Sequence, residues 1–140
     1  MTYATQQNMI DRFGEQELIE LTDRAQLGVI DATVLEQALV DADAEINAYL
    51  VSRYTLPLAS VPPVLTRFAA DIARYMLYDT RASDQVLQRY KDAIAFFKQV
   101  STGSASLGLD AGGSGQVVDA GGVQVSAPDR VFNSESLDGY

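Results

Sequence analysis

The chain has 140 residues and a mass of 15.2 kDa, enough for one domain with a sizeable core and too little for two large lobes. It is 47% apolar and 21% charged, an ordinary globular composition, and contains neither Cys nor His. That excludes disulfides, thiolate nucleophiles, the usual zinc ligation, Ser-His triads and imidazole acid–base chemistry, while the net charge of −9 argues against wrapping nucleic acid as the main activity.

Thr5 is placed to cap a short helix carrying Met9, Ile10 and Phe13, which Gly14 ends. A second short helix follows, with Glu15, Glu17 and Glu20 around Leu18, Ile19 and Leu21, stopping near Thr22; acids suit the start of a helix. The longest helical pattern covers residues 31–54, where Leu35, Leu39, Ala42, Ile46, Tyr49, Leu50 and Arg53 recur at three- and four-residue steps. Its polar side is expected to hold Glu36, Asp41, Asp43 and Glu45. The like charges Asp41 and Glu45 at i,i+4 invite an external cation. Leu56 precedes a proline and must leave the helix, so Leu56, Pro57 and Leu58 form an apolar connector.

Pro62 and Pro63 open the next helix, whose buried side is expected to carry Val64, Leu65, Phe68, Ala69, Ile72, Tyr75 and Met76. On another face Arg67, Asp71, Arg74, Tyr78 and Arg81 form a mainly positive ladder, ready for a partner's acidic surface. After a break at residues 80–83, Ser83 caps a final helix running to about Val100, with an apolar stripe of Val86, Leu87, Tyr90, Ile94, Phe97 and Val100; Thr102 and Gly103 close it. Glycines then crowd residues 103–122, a linker composition interrupted by two β-prone pieces, residues 116–118 and 123–125, that could pair as a small hairpin. Apolar residues return near the end as Val131, Phe132, Leu137 and Tyr140, a pattern suited to docking.

The predicted architecture is therefore mainly α, a helical domain over residues 1–102 with a long central helix, followed by an extended tail over residues 103–140. Apolar runs are too short for a membrane span, and residues 1–6 lack the pattern of a secretory signal, so a cytoplasmic protein is expected unless an assembly carries it elsewhere. Charge is uneven: residues 1–48 hold two Arg and ten acids, residues 49–100 seven bases and four acids, and residues 101–140 one Arg and five acids. The first two segments should attract each other, within a subunit or between copies.

No motif carries catalysis. The loop from Asp23 through Gly28 and Asp31 shares an EF-hand's first Asp and its Gly, but Ala25, Leu27 and Val34 stand where calcium needs oxygen ligands, so Gly28 reads as a turn residue. Glu17/Glu20 and Asp41/Glu45 are expected on wet helix faces, unsuited to general acid work. Residues 112–115 have no following Lys-Thr and no helix, which excludes a P-loop. No cofactor, metal or enzyme activity is expected. Candidate contact residues are Arg67, Arg74, Arg81, Asp41 and Glu45 on the helices, with Val131, Phe132, Leu137 and Tyr140 in the tail.

Order and spacing together carry a resemblance. Tyr3-Ala4-Thr5 leads to Met9-Ile10-Asp11-Arg12-Phe13-Gly14, and Leu21-Thr22-Asp23-Arg24 is followed by Ile30-Asp31. Residues 42–50, then Arg53-Tyr54-Thr55-Leu56-Pro57-Leu58 and Val61-Pro62-Pro63, complete a pattern that resembles Mu-like phage and prophage structural proteins; Arg130-Val131-Phe132 and residues 136–140 also look like that family's end. The resemblance implies a head-to-tail connector, also called an adaptor or head-completion protein: a small helical subunit forming a ring, usually twelve-fold, beneath the portal. It implies as partners further copies of itself, the portal protein and a tail-side connector or tail terminator, with DNA passing through the channel without specific binding. It also implies location in the virion's head–tail neck, and in the host cytoplasm during assembly. Ala25 and Leu27 depart from the acid-rich turn of some relatives. The rival expectation is an acidic cytoplasmic module that binds and regulates a basic protein.

Overall fold

The computed structural model describes residues 2–109, which form five α-helices: α1 (Gln6–Phe13), α2 (Glu15–Thr22), α3 (Ala32–Leu50), α4 (Pro63–Tyr78) and α5 (Asp84–Thr102). The expected mainly helical fold is what the chain adopts, and no strand occurs among the described residues. The two β-prone pieces and the tail's apolar residues lie outside them.

Local chemistry starts and stops these helices largely where expected. Thr5 and Asn8 form a reciprocal capping box at α1, in which the Thr5 hydroxyl accepts from the Asn8 N–H and the Asn8 side chain accepts from the Thr5 N–H. Asp31 caps α3 by accepting from Thr33 and Val34, and Ser83 caps α5 by accepting from Val86. Gly103 ends α5 in the left-handed conformation at φ 84°, and the Arg53 guanidinium packs where a side chain at this position would start.

α3 is shorter than its sequence pattern. It ends at Leu50 rather than Tyr54, because Arg53 and Tyr54 both donate backbone hydrogen bonds to the Leu50 carbonyl and turn the chain. The turn sends the Tyr54 ring into the core, where its hydroxyl accepts from the Leu107 N–H at 3.2 Å. Leu107 is itself buried and Ala105 and Leu109 pack beside it, so chain packed on the core continues past Thr102 to residue 109.

The core lies among α3, α4 and α5, and both α3 and α4 touch every other helix. α3 contributes Leu35, Leu39, Ala42, Ile46 and Leu50, and α5 contributes Ala93, Phe97 and Val100. From α4 come Leu65, Ala69, Ile72 and Ala73, whose alanines allow close approach of helix axes. Phe68, Phe96 and Phe97 form an aromatic cluster with centroids 4.8–5.7 Å apart. α1 and α2 close one flank with fully buried Met9 and Leu18.

Candidate interaction surface

Three acids expected on wet faces of their helices, Asp43, Glu17 and Glu45, are instead drawn inward. Asp43 is 9% exposed and accepts both oxygens' worth of hydrogen bonding from the Tyr3 backbone N–H, at 3.1 and 3.2 Å. The Tyr3 hydroxyl donates to Asn47, and the Tyr3 carbonyl accepts from the Thr66 hydroxyl at 2.9 Å, so the segment before α1 is pinned across α3 and α4. Burial pushes the Asp43 carboxyl above the ordinary carboxylate value, with the Tyr3 N–H pulling the other way.

Glu17 is the second. One of its oxygens lies 2.6 Å from an Arg74 Nη and accepts from the Tyr78 hydroxyl at 2.6 Å, while the Arg74 guanidinium lies over the Phe13 ring. The side chains of Arg74 and Glu17 are 14% and 20% exposed. The expected ladder therefore does not face outward as a continuous row: α1 and α2 cover its middle, and Arg74 is neutralised inside its own subunit. Charge attraction between the acidic first segment and basic second segment operates, at this point, within one chain.

Arg67 and Arg81 remain exposed. Arg67 joins Arg12 of α1 and Arg89 of α5 around a pocket of about 230 Å³ with Phe13 and Asp71 in its wall. Asp71 is buried, and its nearest cation is Arg89 at 4.0 Å. Burial raises the Asp71 carboxyl above its usual range, and Arg89, Arg67, Arg12 and Arg74 pull it back. Three guanidiniums from three helices thus surround one buried carboxylate that Arg89 alone approaches to 4.0 Å, leaving a local positive excess on an acidic chain. Arg12 and Arg89 were not among the sequence candidates; they lie 77 residues apart, on separate helices, and only packing brings them together.

Arg81 lies in the short 3₁₀ turn Asp79–Arg81 and lines a separate pocket of about 320 Å³ with Glu20, Asp23 and Asp79. Asp41 is exposed and accepts from Gln37 at 2.8 Å. Glu45 is half-buried and accepts from the Tyr90 hydroxyl at 2.8 Å, with the Tyr90 ring stacked on Tyr75 at a centroid distance of 4.0 Å. Burial, followed by that bond to Glu45, raises the Tyr90 phenol above its normal value. Asp41 and Glu45 therefore differ in environment: Asp41 faces solvent, and Glu45 ties α3 to α5. Val131, Phe132, Leu137 and Tyr140 lie outside the described residues.

In the loop compared with an EF-hand, the two Asp23 oxygens accept from the N–H groups of Leu27 and Gly28 at 2.9 and 2.7 Å. Gly28 has φ 75°, the left-handed geometry expected of a turn glycine. This fixed turn displays Leu27 and Val29, which are 74% and 56% exposed. None of the described helices is long and apolar enough to cross a membrane.

Sequence comparison finds relatives of the chain among phage and prophage proteins. The model of a family described as "Bacteriophage Mu, Gp36" matches residues 3–126. The chain is 40% identical over 107 residues to the "Mu-like prophage FluMu protein gp36" of Haemophilus influenzae, covering 76% of each protein. It is also 32% identical over 134 residues to "Gene product J" of Escherichia phage Mu, covering 95% of each.

Proposed function

The chain belongs to the bacteriophage Mu Gp36 family, and from that premise we propose that it is a virion structural protein acting as a head-to-tail connector. In this reading, copies form a ring beneath the portal, join the DNA-filled capsid to the tail, and leave a channel for DNA. Its partners are other copies of itself, the portal protein and a tail-side connector or tail terminator, and its place is the neck of the virion. The proposal assigns no reaction to it.

The observation that carries the reading, beside family membership, is the clustering of free-facing arginines at one place on an acidic chain. Exposed acids are spread over α1, α2, α3 and α5, whereas the free-facing arginines Arg12, Arg67 and Arg89 converge where α1, α4 and α5 meet. A surface of one sign meeting a different surface of the next copy is the requirement of a heterologous ring. An overall charge of −9 suits a channel wall that DNA passes without sticking.

Quantitative mass spectrometry of purified virions tests this. The chain should occur at a fixed ratio to the portal protein, and particles made without it should be filled heads lacking attached tails. Absence from virions, with normal tail attachment when the gene is deleted, would overturn the connector and favour the acidic binding module.

A further inference from the structure

We infer that the groove where α1, α4 and α5 meet is a carboxylate socket, in which Arg12, Arg67 and Arg89 receive the exposed Asp41 of α3 from a second copy of this chain. The inference deepens the connector proposal and rests on its ring of self-contacts.

Several observations converge on this occupant. The three guanidiniums come from three different helices and surround one pocket, and Arg12 and Arg67 are exposed while the Arg89 side chain is 47% exposed. Asp71 is the only carboxylate in the pocket wall; it accepts no hydrogen bond among the described residues, and Arg89 approaches it no closer than 4.0 Å. Guanidinium forks hold carboxylates through paired N–H donors, and here at least two forks lack such a partner. Suitable acids exist in excess on the same chain: residues 1–48 hold ten acids against two arginines.

Asp41 does not line the socket of its own subunit. It projects from the exposed side of α3, whose opposite side carries the buried Leu35, Leu39, Ala42 and Ile46. The only ion pairs among the described residues are Arg74–Glu17 and Arg89–Asp71. Two complementary patches on separate surfaces of one molecule make a heterologous contact, which propagates from copy to copy and closes as a ring when the rotation permits.

Because the chain has no native cysteine, introduced thiols report the contact directly. The full chain carrying Gln85→Cys, one turn from Arg89 on α5, and Ala44→Cys, beside Asp41 on α3, two exposed positions that leave the charged groups in place, treated with a long flexible bis-maleimide linker both free and in particles, should give a ladder of covalent multimers. Either substitution alone should stop at dimers. A second measurement uses charge: Arg89→Glu or Asp41→Lys should each weaken self-association by about tenfold or more, and combining the two should restore it. These positions are solvent-facing or half-exposed, and unchanged helical circular dichroism confirms folding.

A double-thiol variant that stops at dimers in both settings overturns the inference. So does a double charge swap that associates no better than its parents, which would indicate another occupant such as a phosphate group or a different protein. Virion composition is read separately. A chain present in virions that gives no ladder removes the socket alone, and a chain absent from virions that does give one removes the connector reading alone.

Discussion

The Arg74 guanidinium lies 2.6 Å from Glu17, joining α4 to α2 across 57 residues of sequence. Both side chains are mostly removed from water, and the pair is roofed by Phe13 and extended by the Tyr78 hydroxyl. The remaining Glu17 oxygen and the Arg74 Nε are buried without a hydrogen-bond partner among the described residues. Such a pair contributes little net stability over an apolar replacement, yet removing one member strands the other.

Glu17→Ala should therefore destabilise the fold by about 2–4 kcal/mol, because it leaves the Arg74 charge buried and the Tyr78 hydroxyl without its acceptor. Glu17→Leu combined with Arg74→Met should recover most of that loss. Urea denaturation of the two variants and the wild type checks both outcomes, and a double variant less stable than Glu17→Ala would contradict this account of the pair.

Asp43→Ala removes the acceptor of the Tyr3 N–H in a buried site and should cost about 1–3 kcal/mol. The loss should be local in part: hydrogen exchange at Tyr3 and Ala4 should accelerate more than exchange in α5. Equal acceleration in both would mean that the segment before α1 unfolds only with the whole domain.

Buried Asp43 and Asp71 impose a sign on the pH dependence of stability. Burial raises both folded-state values above the ordinary 3.8, so the folded chain holds these protons to higher pH than the unfolded chain. Their contribution is fully present below the unfolded value and is lost as pH rises through the raised folded values. Asp71→Asn should flatten that part of the profile, measured as unfolding free energy between acidic and neutral pH, whereas a profile identical to wild type would show that Asp71 is not desolvated.

Gly103→Ala should destabilise by about 1 kcal/mol or more, since φ 84° strains an L-residue and the new methyl must displace the Arg53 guanidinium. Thermal unfolding measures this. Arg53→Ala should make the Gly103→Ala change less costly, a coupling that a double-mutant cycle reads directly.

Helices and their ends were legible because they depend on neighbours in sequence. Thr5, Asp31, Ser83, Pro63 and Gly103 act on backbone groups within a few residues, and the apolar period of residues 32–50 and 84–102 reports one buried face whatever that face meets. Composition likewise removed thiol and imidazole chemistry without reference to any fold. The end of α3 was less legible, because Tyr54 leaves the helical pattern to meet Leu107, 53 residues later.

Which charges stay free was decided by tertiary structure alone. Helical spacing put Arg67, Arg74 and Arg81 on one face, and it was the packing of α1 and α2 that buried Arg74 against Glu17 and left its two neighbours exposed. The same packing drew Asp43 inward to hold Tyr3, and it collected Arg12, Arg67 and Arg89 from three helices around Asp71. A sequence states how many charges a helix carries and at what spacing; their partners and their access to water are properties of surfaces brought together from distant parts of the chain.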